Sequence, residues 1–508
     1  SFESEDVAAV LNRYFVPIKV DREERPDVDR IYMTFVQATT GSGGWPMSVW
    51  LTPDLKPFFG GTYFPPDNRW GRPGFKSILE QLAAAWQNDR EKIVQSGDSV
   101  VAQLEEHIKV NGTGYAVDPK VLDSGFYQFR RSFDPKLGGF GGAPKFPRAV
   151  AFNFLLRYWH RNQSDEALEM VMVTLREMAK GGMNDQLGGG FHRYSVDAKW
   201  FVPHFEKMLY DQAQLATTYI EAYQITRDEG LAQTARDVLE YVLRDMTDAQ
   251  GGFYSAEDAD SVIDPAHPHE KGEGAFYIWG YDELVSVLGW EQAEWLAYRY
   301  GAERDGNVYE DPHNEFTGKN ILYQKRSIEE TAKKFNKSVD EMQAALSQAS
   351  AQLLEVRGKR VRPHLDDKVL TAWNGLMISA FAKGARTLGE ERYLDPARRA
   401  ADFIAGTLYR DGVLLRRFRD GEAAIPGFLD DYSFFAQALL DLYESSFESR
   451  WLALAKAVTD KMVALFEDTA GGGFYSTAEG DTSLVMRIKE DYDGAEPSGN
   501  SVAIQVLL

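Results

Sequence analysis

The sequence predicts two unlike domains: a small α/β domain with a thioredoxin-like order of elements, then a mainly α domain of paired helices closed into an (α/α)6 toroid. Three observations predict them. Short helices and strands alternate over the first hundred or so residues. Long amphipathic helices take over from about residue 118. An Asp, a short spacer and then Gly-Gly-Phe occurs four times beyond that point. The domain limits are set at 1–112 and 113–508, because 508 residues exceed one ordinary core.

In the first domain, residues 4–15 suit a short helix, and Tyr14 to Val20 is a compact apolar run with the signal of a buried strand. Pro26 to Thr40 reads as a helix. Gly41 to Pro46 is a turn, and strands from Met47 to Thr52 and from Pro57 to Phe64 flank the turn at Pro53-Asp54. Phe75 to Trp86 closes the domain as a helix. The order is that of a thioredoxin fold without its first strand, and Pro46 stands where that fold has a cis-proline.

In the second domain each long helix carries one apolar stripe. Trp373, Leu376, Met377, Ala380, Phe381 and Gly384 form one such stripe. Trp451, Leu454, Ala455, Val458, Met462, Leu465 and Phe466 form another. The repeated connectors are Asp134 with Gly138-Gly139-Phe140, Asp185 with Gly189-Gly190-Phe191, Asp248 with Gly251-Gly252-Phe253, and Asp468 with Gly472-Gly473-Phe474. A recurring unit of this kind means helix pairs that bury their faces against neighbours. Its glycines allow positive φ where a helix ends. A ring needs about twelve helices against roughly ten candidates, so the last pair is expected beyond Leu508.

Composition narrows the chemistry. Lys plus Arg is 56 and Asp plus Glu is 77, a net charge of -21, which repels phosphate backbones and anionic lipid. Neither nucleic acid nor a membrane is expected as a partner. With Cys 0, disulfides, thiolate metal sites and thiol redox chemistry are excluded for these residues. No metal and no cofactor is expected, and no signal peptide is seen; the expected location is the cytoplasm. The chain starts at Ser1 inside a helix signal and stops in another, and reads as part of a longer protein.

In a toroid, polar residues just before apolar helices line one mouth. The first such stretch runs from Gly190 to Asp211 and holds His192, Arg193, Tyr194, Trp200, His204, Glu206, Tyr210 and Asp211. Pro203 reads there as a helix start with Glu206 in the first turn. Glu206 fits either a cap paired with Lys207 or Arg193, or a proton-transfer cluster with the histidines. The second stretch is His364, Asp366, Asp367 and Lys368, followed by Trp373 and Asn374; its acids fit a cap and salt bridge or a shared-proton pair equally. The third is Asp430, Asp431 and Tyr432, where a cap accounts for one acid and leaves the other free. Glu257, Asp258 and Asp260 form a hydrated or ligand-facing loop. Glu273 is a weaker candidate, and Glu496 lies in a loop leading into the last helix. His267, His269 and His313 read as surface residues.

Val16 to Pro26, Gly43-Gly44-Trp45-Pro46, Leu51-Thr52-Pro53 and Gly60 to Pro66 resemble the thioredoxin-domain-containing family that includes spermatogenesis-associated protein 20. Gly142 to Pro147, Gly189 to Asp211, Asp366 to Gly375 and Gly494 to Ser501 are similar to it too. The resemblance implies a thioredoxin-like domain and a six-hairpin toroid similar to N-acylglucosamine 2-epimerase and six-hairpin glycosidases. The family's Cys-x-x-Cys lies before the position of Ser1, so redox activity passes to no residue here.

Three functions compete. A sugar epimerase or isomerase would use His204 or His192, with His364 as a partner; a glycoside hydrolase would use Glu206, Asp367 and Asp431, with carboxylates ~5–9.5 Å apart. Arg193, Tyr194, Trp200, Tyr210, Asp211, Asp258, Asp366, Trp373, Asn374, Asp430, Tyr432 and Glu496 would hold a small sugar or glycan. The second function is a redox protein whose toroid recognises a protein client or glycan, and the third is a noncatalytic binding protein.

Overall fold

The computed structural model describes residues 4–69, 71, 73–108, 118–310 and 315–508. The chain forms two compact units, Ser1–Gly114 with Lys461–Asp491, and Tyr115–Asp460 with Tyr492–Leu508. The expected boundary between residues 112 and 113 lies outside the described residues, as does His313.

The first unit contains α1 (Glu5–Tyr14), α2 (Pro26–Thr40), β1 (Ser48–Leu51), β2 (Pro57–Gly61), α3 (Phe75–Asn88) and α4 (Arg90–Ile108). Proline opens α2, where its missing N–H costs nothing, and Gly41 ends it at a φ of 77°. β1 and β2 pair antiparallel, with Val49 opposite Gly60. A Cβ on Gly60 would stand 3.0 Å from the Phe35 ring, so glycine lets α2 lie against the hairpin. Val7, Trp50, Phe75, Ile78 and Leu79 make one core cluster. The Trp45–Pro46 peptide is cis, in agreement with the expectation. The expected strand from Tyr14 to Val20 is absent: Tyr14 ends α1 and residues 15–20 are irregular, with Val16 85% and Ile18 74% exposed. A strand needs a ladder partner, none pairs with this run among the described residues, and Pro17 lacks a donor for one. The returning segment adds Met486 beside Phe35 and Val36, and Glu490 to Arg30 at 2.6 Å.

The second unit starts with α5 (Lys120–Ser132), α6 (Ala149–Asn162) and α7 (Asp165–Lys180). The strands β3 (Tyr194–Ser195), β4 (Pro203–His204) and β5 (Lys207–Met208) lead into α8 (Leu209–Thr226), and α9 (Glu229–Asp245) returns the chain. An insertion follows: β6 (Ala256–Glu257), β7 (Asp260–Val262), β8 (Lys271–Glu273), α10 (Tyr281–Leu288), α11 (Trp290–Tyr300), α12 (Ile328–Lys334) and α13 (Val339–Arg357). Its helices have their own core around Trp279, Leu284, Leu296 and Met342. Then come β9 (Leu365–Asp366), β10 (Val369–Leu370), α14 (Thr371–Leu388), α15 (Leu394–Phe403), β11 (Tyr409–Arg410), β12 (Val413–Arg419), β13 (Glu422–Pro426), α16 (Leu429–Ser446), α17 (Ser449–Phe466) and α18 (Gly499–Leu507).

α6 packs on α8, α8 on α14, α14 on α16 and α16 on α18, while α7, α9 and α15 each pack on the helix they follow. This series of inner helices, with outer helices returning the chain, is the α/α toroid layout that the repeats predicted. Because the outer helices bring the chain back, the inner helices all begin at one rim.

The four Gly-Gly-Phe connectors share one geometry. In each, the Asp N–H donates to the carbonyl of the second glycine, and the first-glycine N–H donates back to the Asp carbonyl. The Phe then forms a single β-bridge to the residue before the Asp. In three of them a lysine ammonium clasps the turn: Lys145 on Asp134, Lys207 on Asp185 and Lys489 on Asp468. Each also donates to the first glycine's carbonyl. Two inner helices lock the following Phe by an amide. Gln212 both accepts from and donates to the Phe191 backbone, at 2.8 and 2.7 Å, and Asn374 does the same to Phe253 at 2.8 and 2.9 Å.

Candidate functional site

Short strands gather the polar stretches at the rim. β5, β6 and β9 form one small sheet, with Lys207 opposite Glu257 and Ala256 opposite Asp366. β3 pairs with β4, which sets Tyr194 opposite His204. The two rings stack at 5.0 Å. The region between them carries no helix: Pro203 and His204 are strand, and α8 starts only at Leu209, so Glu206 is in no helical turn. The physical reason is that the Pro203 segment finds a ladder partner in β3 before the apolar run of α8 begins.

His204 is the titratable centre of this rim. Its Nδ1 lies 2.8 Å from Glu273 Oε1, and its Nε2 lies 3.8 Å from Glu206 Oε2. Glu273 Oε1 also accepts from the Phe205 N–H. Arg193 Nη1 donates to Glu206 Oε2 at 2.7 Å. All four side chains are about one-quarter exposed. Burial opposes the charge on His204, but the hydrogen bond and charge of Glu273, helped by Glu206, outweigh it and raise its pKa above the ordinary value. Burial likewise works against ionised Glu273, and His204 outweighs it and holds that carboxyl low.

Behind Arg193 lies Asp211, in the first turn of α8. Its carboxyl is buried, and Oδ2 has no hydrogen-bond partner among the described residues. Burial pushes it well above the carboxylate range; Arg193 opposes this, and Glu496 and Glu206 add to it. Tyr210 meets Trp373 edge-on at 4.8 Å. The Gln214 amide donates to the Ala495 carbonyl at 2.8 Å, which ties the Glu496 loop to α8.

Asp430 and Asp431 are buried against Arg416 at 3.0 and 3.1 Å. Asp431 also accepts from the Phe428 and Ala372 N–H groups, so it caps α16 and anchors the start of α14. Burial pushes its carboxyl up to about 7 against the charge of Arg416.

The sequence of this chain is 42% identical to spermatogenesis-associated protein 20 of Homo sapiens over 537 residues, covering 100% of this chain and 68% of that protein. The Mus musculus protein of the same name is 42% identical over 541 residues, with the same coverage. The chain belongs to the spermatogenesis-associated protein 20 family. The Thioredox_DsbH family model, described as a protein of unknown function, DUF255, matches residues 1–105 and makes the N-terminal domain of this family member thioredoxin-like. Among solved structures the chain is similar to a sugar epimerase from a ruminal bacterium, at 14% identity and a TM-score of 0.34, covering 80% of this chain and 97% of that one. It is also similar to the GH76A alpha-1,6-mannanase from a Salegentibacter species, at 13% identity and a TM-score of 0.39, covering 85% of each.

In this member of the spermatogenesis-associated protein 20 family, His204, Glu206, Arg193, Tyr194, Tyr210, Asp211, Trp373 and Glu496 belong to one rim. Other expected residues have different work. His192 is buried, with Nδ1 on the Phe205 carbonyl, and burial together with the Lys207 charge holds it well below its ordinary pKa. Trp200 is fully buried and donates to the Leu137 carbonyl. Asn374 is consumed by the Phe253 clasp, and the Tyr432 hydroxyl accepts from the Leu414 N–H. Asp366 pairs with Lys368 at 3.0 Å, and Asp367 with Arg419 at 2.8 Å. Neither caps a helix, because β10 stands between them and α14. Asp258 and His364 are exposed, as are His267 and His269. Arg416 does not stand out in the sequence: nothing in the run Val413–Arg419 tells it from Arg417 and Arg419, and only the fold buries it against the two aspartates. Lys207, expected as a partner of Glu206, pairs instead with Asp185 of the second connector, and with Arg357 the two form a buried ionic cluster at 2.8–3.0 Å. Among the described residues no group of three or more His, Asp or Glu is placed to hold a metal ion, and no helix is long and apolar enough to cross a membrane.

Proposed function

We propose that the rim is a proton-transfer site for a sugar, with isomerisation between an aldose and a ketose as its reaction class. The observation that carries this reading is the imidazole of His204, held between Glu273 and Glu206 and reachable from solvent. An oriented histidine beside a carboxylate is a general base of the ordinary kind. It would take the proton from the carbon next to a carbonyl, the C–H electrons forming the enediol double bond as the carbonyl oxygen gains a proton. The same imidazolium would return the proton to the former carbonyl carbon, as the hydroxyl on the neighbouring carbon loses its proton and becomes the new carbonyl.

One base suffices for that exchange, whereas epimerisation at one carbon needs groups on both faces. His192 is unsuited to be the second, since it is buried and its Nδ1 is engaged. Hydrolysis is supported less, because Glu206 is paired with Arg193, and Asp367 and Asp431 are paired with arginines. Tyr194 supplies aromatic surface, and Arg193 supplies donors for hydroxyls.

The test is a panel of aldoses and ketoses followed by NMR in heavy water, with wild type beside His204→Asn and Glu206→Ala. The expected result is solvent deuterium at the carbon next to the carbonyl in wild type, lost in His204→Asn. Bond cleavage without exchange would replace isomerisation by hydrolysis. No exchange on any sugar by folded protein would overturn the reading.

A further inference from the structure

We infer that Asp211 is the acid of this site, donating its proton to the substrate's carbonyl oxygen while His204 removes the carbon-bound proton; this rests on the proton-transfer reading above.

The argument starts from unmade hydrogen bonds. Buried polar atoms almost always have partners, and each exception asks for an explanation. Around the first turns of α8 there are three: Asp211 Oδ2, Gln214 Oε1 and the Trp373 indole nitrogen. Asp211 and Gln214 are three residues apart on one helix face, and Trp373 touches Tyr210 between them and α14. Asp211 is 6% exposed, Gln214 7% and Trp373 3%. Two oxygens and one N–H left open at the rim suit a ligand with several hydroxyls, each able to donate and accept.

The charged groups facing Asp211 decide its form. From just before β3 and just before β5 come Arg193 and Glu206, already bonded to each other at 2.7 Å. From the loop before α18 comes Glu496, which Arg416 also faces. The cation nearest Asp211 is therefore shared with Glu206, and two carboxylates stand near it. The N-terminus of α8 favours a charged carboxyl, but the effect of a helix end is weaker than that of full burial. A neutral carboxylic acid in an apolar niche can donate to a substrate oxygen, which an ionised one cannot. The proton balance closes: His204 gains the proton from carbon and Asp211 gives one to the carbonyl oxygen; then the imidazolium returns a proton to the former carbonyl carbon, while the hydroxyl on the adjacent carbon gives its proton to the Asp211 carboxylate and becomes the new carbonyl.

Infrared spectra of wild type labelled with 13C at the aspartate carboxyls, compared with Asp211→Asn at neutral pH, read the protonation state without any activity. A carbonyl band of a neutral acid, shifted by the label and absent from the variant, is expected. Carboxylate bands alone would overturn the role. With an active sugar, Asp211→Asn keeps a donor but no transferable proton, so kcat is expected to fall roughly 10²-fold or more with KM within about threefold. Exchange lost in His204→Asn but intact in Asp211→Asn would overturn the acid and leave the base standing. Absence of exchange in wild type would overturn both. If Asp211→Asn does not fold, Asp211→Ser takes its place, because Asp431, pushed up to about 7, can add a neutral-acid band of its own and only the band lost with Asp211 decides.

Discussion

Two polar stretches that open inner helices of the same ring have opposite fates. In residues 203–206 the histidine and glutamate stay about one-quarter exposed, and their partners are the side chains of Glu273 and Arg193. In residues 428–431 the two aspartates are buried, and their partners are backbone N–H groups and a buried arginine. Both stretches are dense in titratable groups. What separates them is where the hydrogen bonds go: carboxylates spent on helix starts hold the ring together, while carboxylates spent on an imidazole tune a group that solvent can reach.

The contrast is broken most strongly at His204. His204→Asn is expected to lower kcat/KM on an exchanging sugar by roughly 10²–10⁴-fold with little change in melting, read by steady-state kinetics beside a thermal scan. Wild-type kinetics in that variant would move the base elsewhere. The next effect lies in the other stretch. Arg416→Met leaves Asp430 and Asp431 buried without their cation, and a stability loss of about 3–5 kcal/mol is expected from denaturant unfolding. A loss well under 1 kcal/mol would mean that the backbone donors alone hold these acids. Asn374→Ala removes the clasp on the Phe253 backbone and should cost about 1–3 kcal/mol, measured the same way, without altering the pH profile of activity.

The smallest effect sharpens the contrast rather than breaking it. Glu273→Gln removes the main group that raises the His204 pKa, so the rising limb of kcat/KM with pH should shift to lower pH. The sign for stability follows from linkage. A histidine whose folded pKa lies above its unfolded ~6.5 adds stability that is complete below that pH and is lost as pH rises through the folded value. Wild type should therefore lose this increment on the alkaline side, and Glu273→Gln should lack it. Parallel pH curves for the two proteins would contradict the role given to Glu273.

The ring was legible because its signals are periodic. Apolar stripes such as Trp451, Ala455, Val458 and Met462 are buried as spacing demands, and every Gly-Gly-Phe turn repeats the same hydrogen bonds. The strand expected from Tyr14 to Val20 failed because apolar content does not supply a ladder partner. At the rim, residue type named His204, Glu206 and Asp211 but could not tell them from His192, Trp200 and Asn374. That difference is one of direction: His192 points into the core and Asn374 onto a backbone more than a hundred residues earlier. The partners of Arg416 and Lys207 were not legible, because Asp430, Asp431 and Asp185 are brought to them only by the fold.

The most direct measurement is an NMR titration of selectively labelled histidines in the folded protein, with His192 and His204 assigned by single substitutions. The account predicts that His204 titrates with a pKa above 6.5, that this value falls in Glu273→Gln, and that His192 stays neutral across the folded range. A titrating His192 beside a His204 with an unshifted pKa that ignores Glu273 would contradict it.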